Sequence, residues 1–154
     1  MELLSFRGAA LAAALVATTV AIHSAGSFSL VWVFRKERTW IPSKLGYGRL
    51  TLGVTAVFLA LLILHLLECA LWAAFYFVAG CFSNVHDAIY FSLITYATVG
   101  YGDLVLDKAW RLYGGIEALT GILMLSWSTA ILIAFVQWVY GRLHDLWQAG
   151  QSNN

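Results

Sequence analysis

Charge is what this chain has least of. Only 11% of its 154 residues are Asp, Glu, Lys or Arg, against 61% that are hydrophobic, and the mean hydropathy is +0.78. A soluble domain needs roughly a quarter of its residues charged to cover its surface. The chain is therefore an integral membrane protein by composition, with lipid solvating its outer faces. Cysteine is sparse as well. Cys69 and Cys81 show no CxxC spacing, which excludes a disulfide framework and a cysteine metal site and leaves two unpaired thiols, or, for Cys81 in an external loop, a bridge between subunits. Proline occurs once, at Pro42. Carboxylate pairs, nucleophile triads and phosphate-binding glycine loops are missing, so nothing points to an enzyme. His86–Asp87 and His144–Asp145 are adjacent pairs without further ligands beside them, and surface roles are expected for both.

What remains is long apolar runs. Ala9 to Phe34 has no formal charge over 26 residues, enough to span roughly 30 Å of hydrocarbon. It starts like a signal peptide, with Arg7 before an Ala-Leu run, but continues well beyond the usual length of one, so a retained helix is expected. Arg35 to Arg49 then gathers five of the nine basic residues against one acid, Glu37. A short loop of that kind stays cytoplasmic, and Pro42, Gly46 and Gly48 make it partly non-helical. Leu50 to Ala79 is a second span, Leu112 to Tyr140 a third, and the polar residues after Gly141 form a short tail. Between the last two spans lies Val85 to Ala97, 13 residues and too short to cross. It is expected to be a re-entrant helix capped by Asn84, with Asp87 in the first turn complementing the dipole. Three spans place the N-terminus outside and the C-terminus in the cytoplasm.

The re-entrant segment runs directly into Thr98-Val99-Gly100-Tyr101-Gly102-Asp103. With Thr95 three residues earlier, this stretch resembles the selectivity filter of the potassium-channel pore-domain family. The flanking motifs are similar to those of small bacterial three-helix ion channels: His65-x-x-Glu68-x-x-x-Trp72-Ala73, Trp110-Arg111, Glu117-Ala118-Leu119-x-Gly121 and Trp127-Ser128-Thr129-Ala130. The resemblance implies an all-α membrane protein, a tetrameric pore of outer helix, re-entrant pore helix, filter and inner helix, with one extra N-terminal helix. Residues 1–49 would hold that extra helix and the basic loop, 50–141 the pore domain and 142–154 the tail. It implies a homotetramer in which Thr98, Val99, Gly100 and Tyr101 bind K⁺ as the permeant ion. One loop per chain cannot enclose an ion, which independently calls for several copies.

The residue types suit that task. Backbone carbonyls can replace the water around K⁺ without adding net charge, but pointing several to one side needs backbone angles that a Cβ resists, hence Gly100 and Gly102. Thr98 adds a hydroxyl, and Tyr101 is expected to wedge the loop by packing behind it, with Tyr90 and Phe91 as partners. The carbonyl end of the short helix favours a cation in front of it. The resemblance puts Gly121 where pore domains carry a hinge glycine; close helix packing is the equal alternative. Leu125, Thr129 and Ile133 follow at four-residue steps, either facing a central cavity or simply buried or lipid-facing. There are departures from the family pattern. Ala97 stands where many channels have threonine, and no proline follows Asp103. Ile94 stands where one bacterial type has a glutamate that pairs with the filter aspartate, so Asp103 must pair elsewhere, with Arg111, or face water.

Four ionisable residues lie inside the spans. His65 and Glu68 share a face of the second span with Trp72 and Tyr76, and His23 on the antiparallel first helix reaches a similar depth. A carboxylate at mid-membrane costs roughly 3 kcal/mol or more, so Glu68 must face protein. The trio is either a proton sensor acting on the pore or a polar cluster that fixes helix packing. Glu117 is either a brace behind the filter or a gate. No repeated arginines mark a voltage sensor, and the tail is too short for a soluble regulatory domain. The expected function is a passive K⁺-selective channel in a bacterial plasma membrane, embedded in lipid and without a nucleic-acid partner. The alternatives are a non-selective cation channel, an accessory subunit of a potassium transport system, or a non-conducting assembly protein.

Overall fold

The computed structural model describes residues 6–36 and 47–152. Four helices follow one another: α1 (Phe6–Lys36), α2 (Tyr47–Val78), α3 (Val85–Tyr96) and α4 (Arg111–Ser152). Among the described residues there is no strand. Three helices are long and apolar enough to cross a membrane, over Phe6–Val33, Thr51–Val78 and Arg111–Gly141. Most of the expected basic loop, including Pro42 and Lys44, lies outside the described residues. The polar tail is not a separate element, because α4 runs without a break to Ser152.

The short helix begins where its chemistry requires. Asn84 is extended, and its side-chain oxygen accepts from the Asp87 amide at 2.8 Å, while its Nδ2 donates to the Asp87 carboxylate at 2.6 Å. An orphan amide of the first turn is thus satisfied and an acid sits at the positive end of the dipole. Replacing Asn84 by Ala is expected to lower stability by about 1 kcal/mol, read as an earlier melting transition of the purified protein in detergent.

α3 packs against both α2 and α4, and α1 lies across α2 and α4 as well. The buried face of α1 repeats at steps of three and four residues: Ala12, Leu15, Thr19, His23 and Ser27. Thr19 returns its hydroxyl to the Leu15 carbonyl at 2.9 Å and accepts the Trp72 indole N–H at 3.1 Å. Near the N-terminal end of α1, the Tyr113 hydroxyl of α4 donates to the Gly8 carbonyl at 3.1 Å. These polar ties fix the first helix against the other two at several depths, something apolar contact alone does poorly in lipid.

An aromatic layer fills the space between the end of α2, the start of α4 and the outer face of α3. Tyr76 and Phe91 meet edge to face at 5.2 Å between centroids, Phe82 lies 5.2 Å from Phe91, and Phe75 lies 5.1 Å from Tyr113. Such geometry is favourable beyond the area it buries. This layer holds α3 at one end of the bundle. Its C-terminal residue Tyr96 is buried among the helices, and the glycine loop that follows is exposed on the single chain.

Candidate functional site

α3 ends at Tyr96, and the chain does not leave the helix freely. The amides of Val99 and Gly100 both donate to the Ile94 carbonyl, at 2.8 and 3.1 Å, and that of Thr98 donates to Thr95 at 2.9 Å. The loop is thereby wound back on the last turn of its own helix. Thr98, Gly100 and Gly102 all have positive φ, at 59°, 51° and 79°. Alternate residues in the left-handed region turn successive carbonyls to one side. Glycine takes these angles freely, whereas Thr98 is strained by them. Among the described residues, no amide donates to the carbonyls of Thr98, Val99, Gly100 or Tyr101. They are free to face an ion.

Around this loop, some expected neighbours stand elsewhere. Asp103 is held by Tyr90, whose hydroxyl donates to its carboxylate at 2.7 Å, and by the Leu104 amide at 3.1 Å. Arg111 does not pair with it. Its Nε donates to the Leu106 carbonyl at 3.1 Å, closing the turn into α4. Phe91 does not back Tyr101 but lies in the aromatic layer with Tyr76 and Phe82. Within one chain Tyr101 is 72% exposed and Val99 50%.

The Tyr90 hydroxyl bond holds the Asp103 carboxyl below the usual carboxylate range, with the backbone amides adding to it. A depressed carboxylate stabilises the fold above its unfolded value, and that contribution is lost as pH falls through the folded value. Loop stability should therefore weaken in acid, below pH ~4. Tyr90→Phe should reduce this acid-dependent loss, leaving the smaller part due to the backbone amides, measured as melting temperature against pH. Cys69 and Cys81 are both free thiols, as their spacing suggested, and burial, followed by the charge of Asp107, pushes the Cys81 thiol up.

Two buried carboxylates, Glu117 and Glu68, each draw polar partners from several helices. Glu117 of α4 accepts from Tyr76 of α2 at 2.7 Å and from Ser92 of α3 at 2.5 Å, and Ser92 also contacts the Cys69 carbonyl at 2.9 Å. Three helices thus meet on one side chain. Glu68 is the second centre. His23 Nδ1 lies 2.8 Å from Oε1 and His65 Nδ1 lies 3.1 Å from Oε2, which also accepts the Tyr96 hydroxyl. Ser128 joins from α4, 2.9 Å from His65 Nε2 and 3.4 Å from His23 Nε2. His23 and Glu68 are fully buried.

His23, His65 and Glu68 offer three ligand-type atoms within 4.8 Å of one another. Ligands at ~2.0–2.1 Å around a tetrahedral zinc stand roughly 3.3 Å apart. The contacts to Glu68 here are 2.8 and 3.1 Å, the spacing of shared protons. Helical spacing and depth point to the trio; they do not point to Tyr96, Ser92 or Ser128 as partners of the two carboxylates. Their signal was available in part: Ser92 and Tyr96 are four apart, polar and on one face of the short helix.

Gly121 faces the same helix end. A Cβ added there would overlap the backbone carbonyl of Tyr96, so α4 approaches α3 at this glycine to within backbone contact. Leu125, Thr129 and Ile133 lie beyond it on an exposed face, with the Thr129 hydroxyl bonded back to Leu125 at 2.9 Å.

A re-entrant helix between two spans, ending in a wound-back glycine loop, is the arrangement of a membrane pore. The sequence profile described as "Ion channel" matches residues 61–137, half of the chain. The chain belongs to the ion channel family, of the two-helix pore type found in potassium channels. It is a multi-pass membrane protein. The matched region runs from within α2 through α3 and the loop into α4, and leaves α1 outside. No curated protein and no solved structure matched. His23 is thus a residue that the family pattern does not cover, set against one, Glu68, that it does.

Proposed function

We propose that the protein is a K⁺-selective channel that conducts passively as a homotetramer, with four Thr98–Tyr101 segments around one axis. The observation that carries this reading is the loop backbone. Positive φ at Thr98, Gly100 and Gly102 alternates with ordinary residues, and the intervening carbonyls are free of internal bonds. Stacked rings of such carbonyls replace the hydration shell of a potassium ion. Single-chain exposure of Val99 and Tyr101 supports the tetramer, since neighbouring subunits would cover both. The exposed face of Leu125, Thr129 and Ile133 would line the cavity below the filter. The five basic residues of the stretch Arg35 to Arg49, read with the positive-inside rule, favour a cytoplasmic C-terminus, and the resemblance to small bacterial channels favours a bacterial plasma membrane.

Gly100→Ala is the test. Alanine in the left-handed region costs about 1–2 kcal/mol per residue, and four copies around one axis add to about 4–8 kcal/mol. Nothing in the chain lies within 4 Å of the new Cβ, so within one subunit the strain is that of the backbone angle alone, and assembly of the variant is checked separately by its size in detergent. In liposomes with a K⁺ gradient, wild type should show flux that Ba²⁺ blocks, and Gly100→Ala should lose at least ~100-fold of it. Undiminished flux through an intact Gly100→Ala assembly would contradict the filter assignment.

A further inference from the structure

The cluster around Glu68 yields to a count of hydrogens. A carboxylate only accepts, so the Nδ1 atoms of His23 and His65, at 2.8 and 3.1 Å from it, each carry one. Tyr96 gives its own hydrogen to Glu68, and its oxygen then accepts toward His65 Nδ1 at 3.5 Å. Ser128 has a single hydrogen but faces two ring nitrogens, His65 Nε2 at 2.9 Å and His23 Nε2 at 3.4 Å. With both imidazoles neutral, one of those two contacts has no hydrogen. One added proton completes all of them. The same proton balances the carboxylate and makes the cluster neutral, where an uncompensated charge at membrane depth costs roughly 3 kcal/mol or more.

The added proton is best compensated on the ring nearer the carboxylate, which is His23. His23 has the closer contact with Glu68, as a charge-assisted bond does. The Trp127 ring lies 5.2 Å from the His23 ring, within cation–π range.

Tyr96 links this cluster to the loop. Its hydroxyl ends on Glu68, its backbone carbonyl rests on Gly121, and it lies two residues after Ile94, whose carbonyl holds the amides of Val99 and Gly100. We propose that His23, His65, Glu68 and Ser128 form a proton-binding site whose occupied state anchors Tyr96 and so the loop. This rests on the channel reading and assigns α1 a role, since His23 brings the first helix to the site. Titratable groups facing the cluster are His23 from α1, His65, Glu68 and the neighbouring Cys69 from α2, and Tyr96 from α3. α4 contributes Ser128 and Trp127, while its Glu117 faces Tyr76 and Ser92 instead. Losing the proton leaves a buried carboxylate without a counter-charge and Ser128 one hydrogen short. The cluster in which Tyr96 is held is then unbalanced and one hydrogen short, and flux falls as pH rises.

The test combines two measurements on full-length protein in lipid bilayers. K⁺ flux is followed from about pH 5 to about pH 8, the range in which histidine exchanges protons. ¹⁵N NMR of histidine-labelled protein, with His86 and His144 changed to Gln, reports imidazolium directly. One imidazolium per chain is expected at the acid end, disappearing together with flux toward the alkaline end. Glu68→Gln and His23→Gln should flatten the pH profile in assembled channels. Strong K⁺ flux that is flat with pH, or two neutral rings throughout, overturns the proton site and leaves the channel reading standing. Absence of K⁺ flux at every pH, in an assembly with one imidazolium per chain, overturns the channel reading and with it the coupling to conduction. Should a variant fail to assemble, the wild-type NMR and flux curves decide alone.

Discussion

Replacing Glu68 by alanine is expected to destabilise the protein by about 3–5 kcal/mol, the range for removing one partner of a buried charged network. Glu68 receives donors from three helices: His23 of α1, its own neighbour His65, and Tyr96 of α3. Interhelical hydrogen bonds in lipid average only ~0.6 kcal/mol, so three neutral ones would sum to less than about 2 kcal/mol. The excess comes from charge. Without the carboxylate, a donor hydrogen on each ring and on Tyr96 is left buried with no acceptor. Glu68→Gln keeps the shape and one acceptor oxygen, and should cost less than alanine. Unfolding of detergent-purified protein measures both. A loss below ~1 kcal/mol for Glu68→Ala would mean the cluster is not the brace its geometry describes.

Gly121→Ala is expected to have the second large effect, on stability and on conduction together. The new Cβ would overlap the Tyr96 carbonyl, and both partners are backbone, so no rotamer change relieves it. Overpacking of this kind costs about 1–3 kcal/mol and is relieved only by moving α4 away from α3. That movement displaces the residue that bears the loop, and K⁺ flux should fall at least tenfold. Gly115→Ala on the same helix is the control, because nothing lies within 4 Å of its Cβ and alanine favours the helix by up to ~1 kcal/mol. If Gly121 served only as a hinge, alanine there would leave the melting transition unchanged while altering conduction. Equal stability of the Gly121→Ala and Gly115→Ala proteins would favour that reading.

The helices were legible because lipid demands it: an apolar run must be long enough to cross, and the 13 residues before the glycine motif are not. α3 and its Asn84 cap fall where the sequence places them, from Val85 to within one residue of the expected end. The left-handed angles of Gly100 and Gly102 follow from the motif, but the positive φ of Thr98 does not, because residue type alone argues against it. The trio of His23, His65 and Glu68 could be anticipated from helical spacing and depth. Its closure by Tyr96 and Ser128 could not, since the rotation of α3 and α4 about their axes is set by packing, including Gly121 against Tyr96. The same reason explains the Asp103 partner. Tyr90 and Arg111 are both within reach in sequence, and only the turn at Leu106, which claims Arg111, leaves the carboxylate to Tyr90.

On the proposed reading, this loop passes potassium and rejects sodium. The direct measurement is the reversal potential of the purified assembly in a planar bilayer with K⁺ on one side and Na⁺ on the other. A carbonyl-lined loop of Thr98 to Tyr101 predicts a reversal potential displaced far from zero, in the direction that K⁺ efflux alone sets, with Na⁺ carrying little current. A reversal potential near zero, with Na⁺ and K⁺ currents alike, would contradict it.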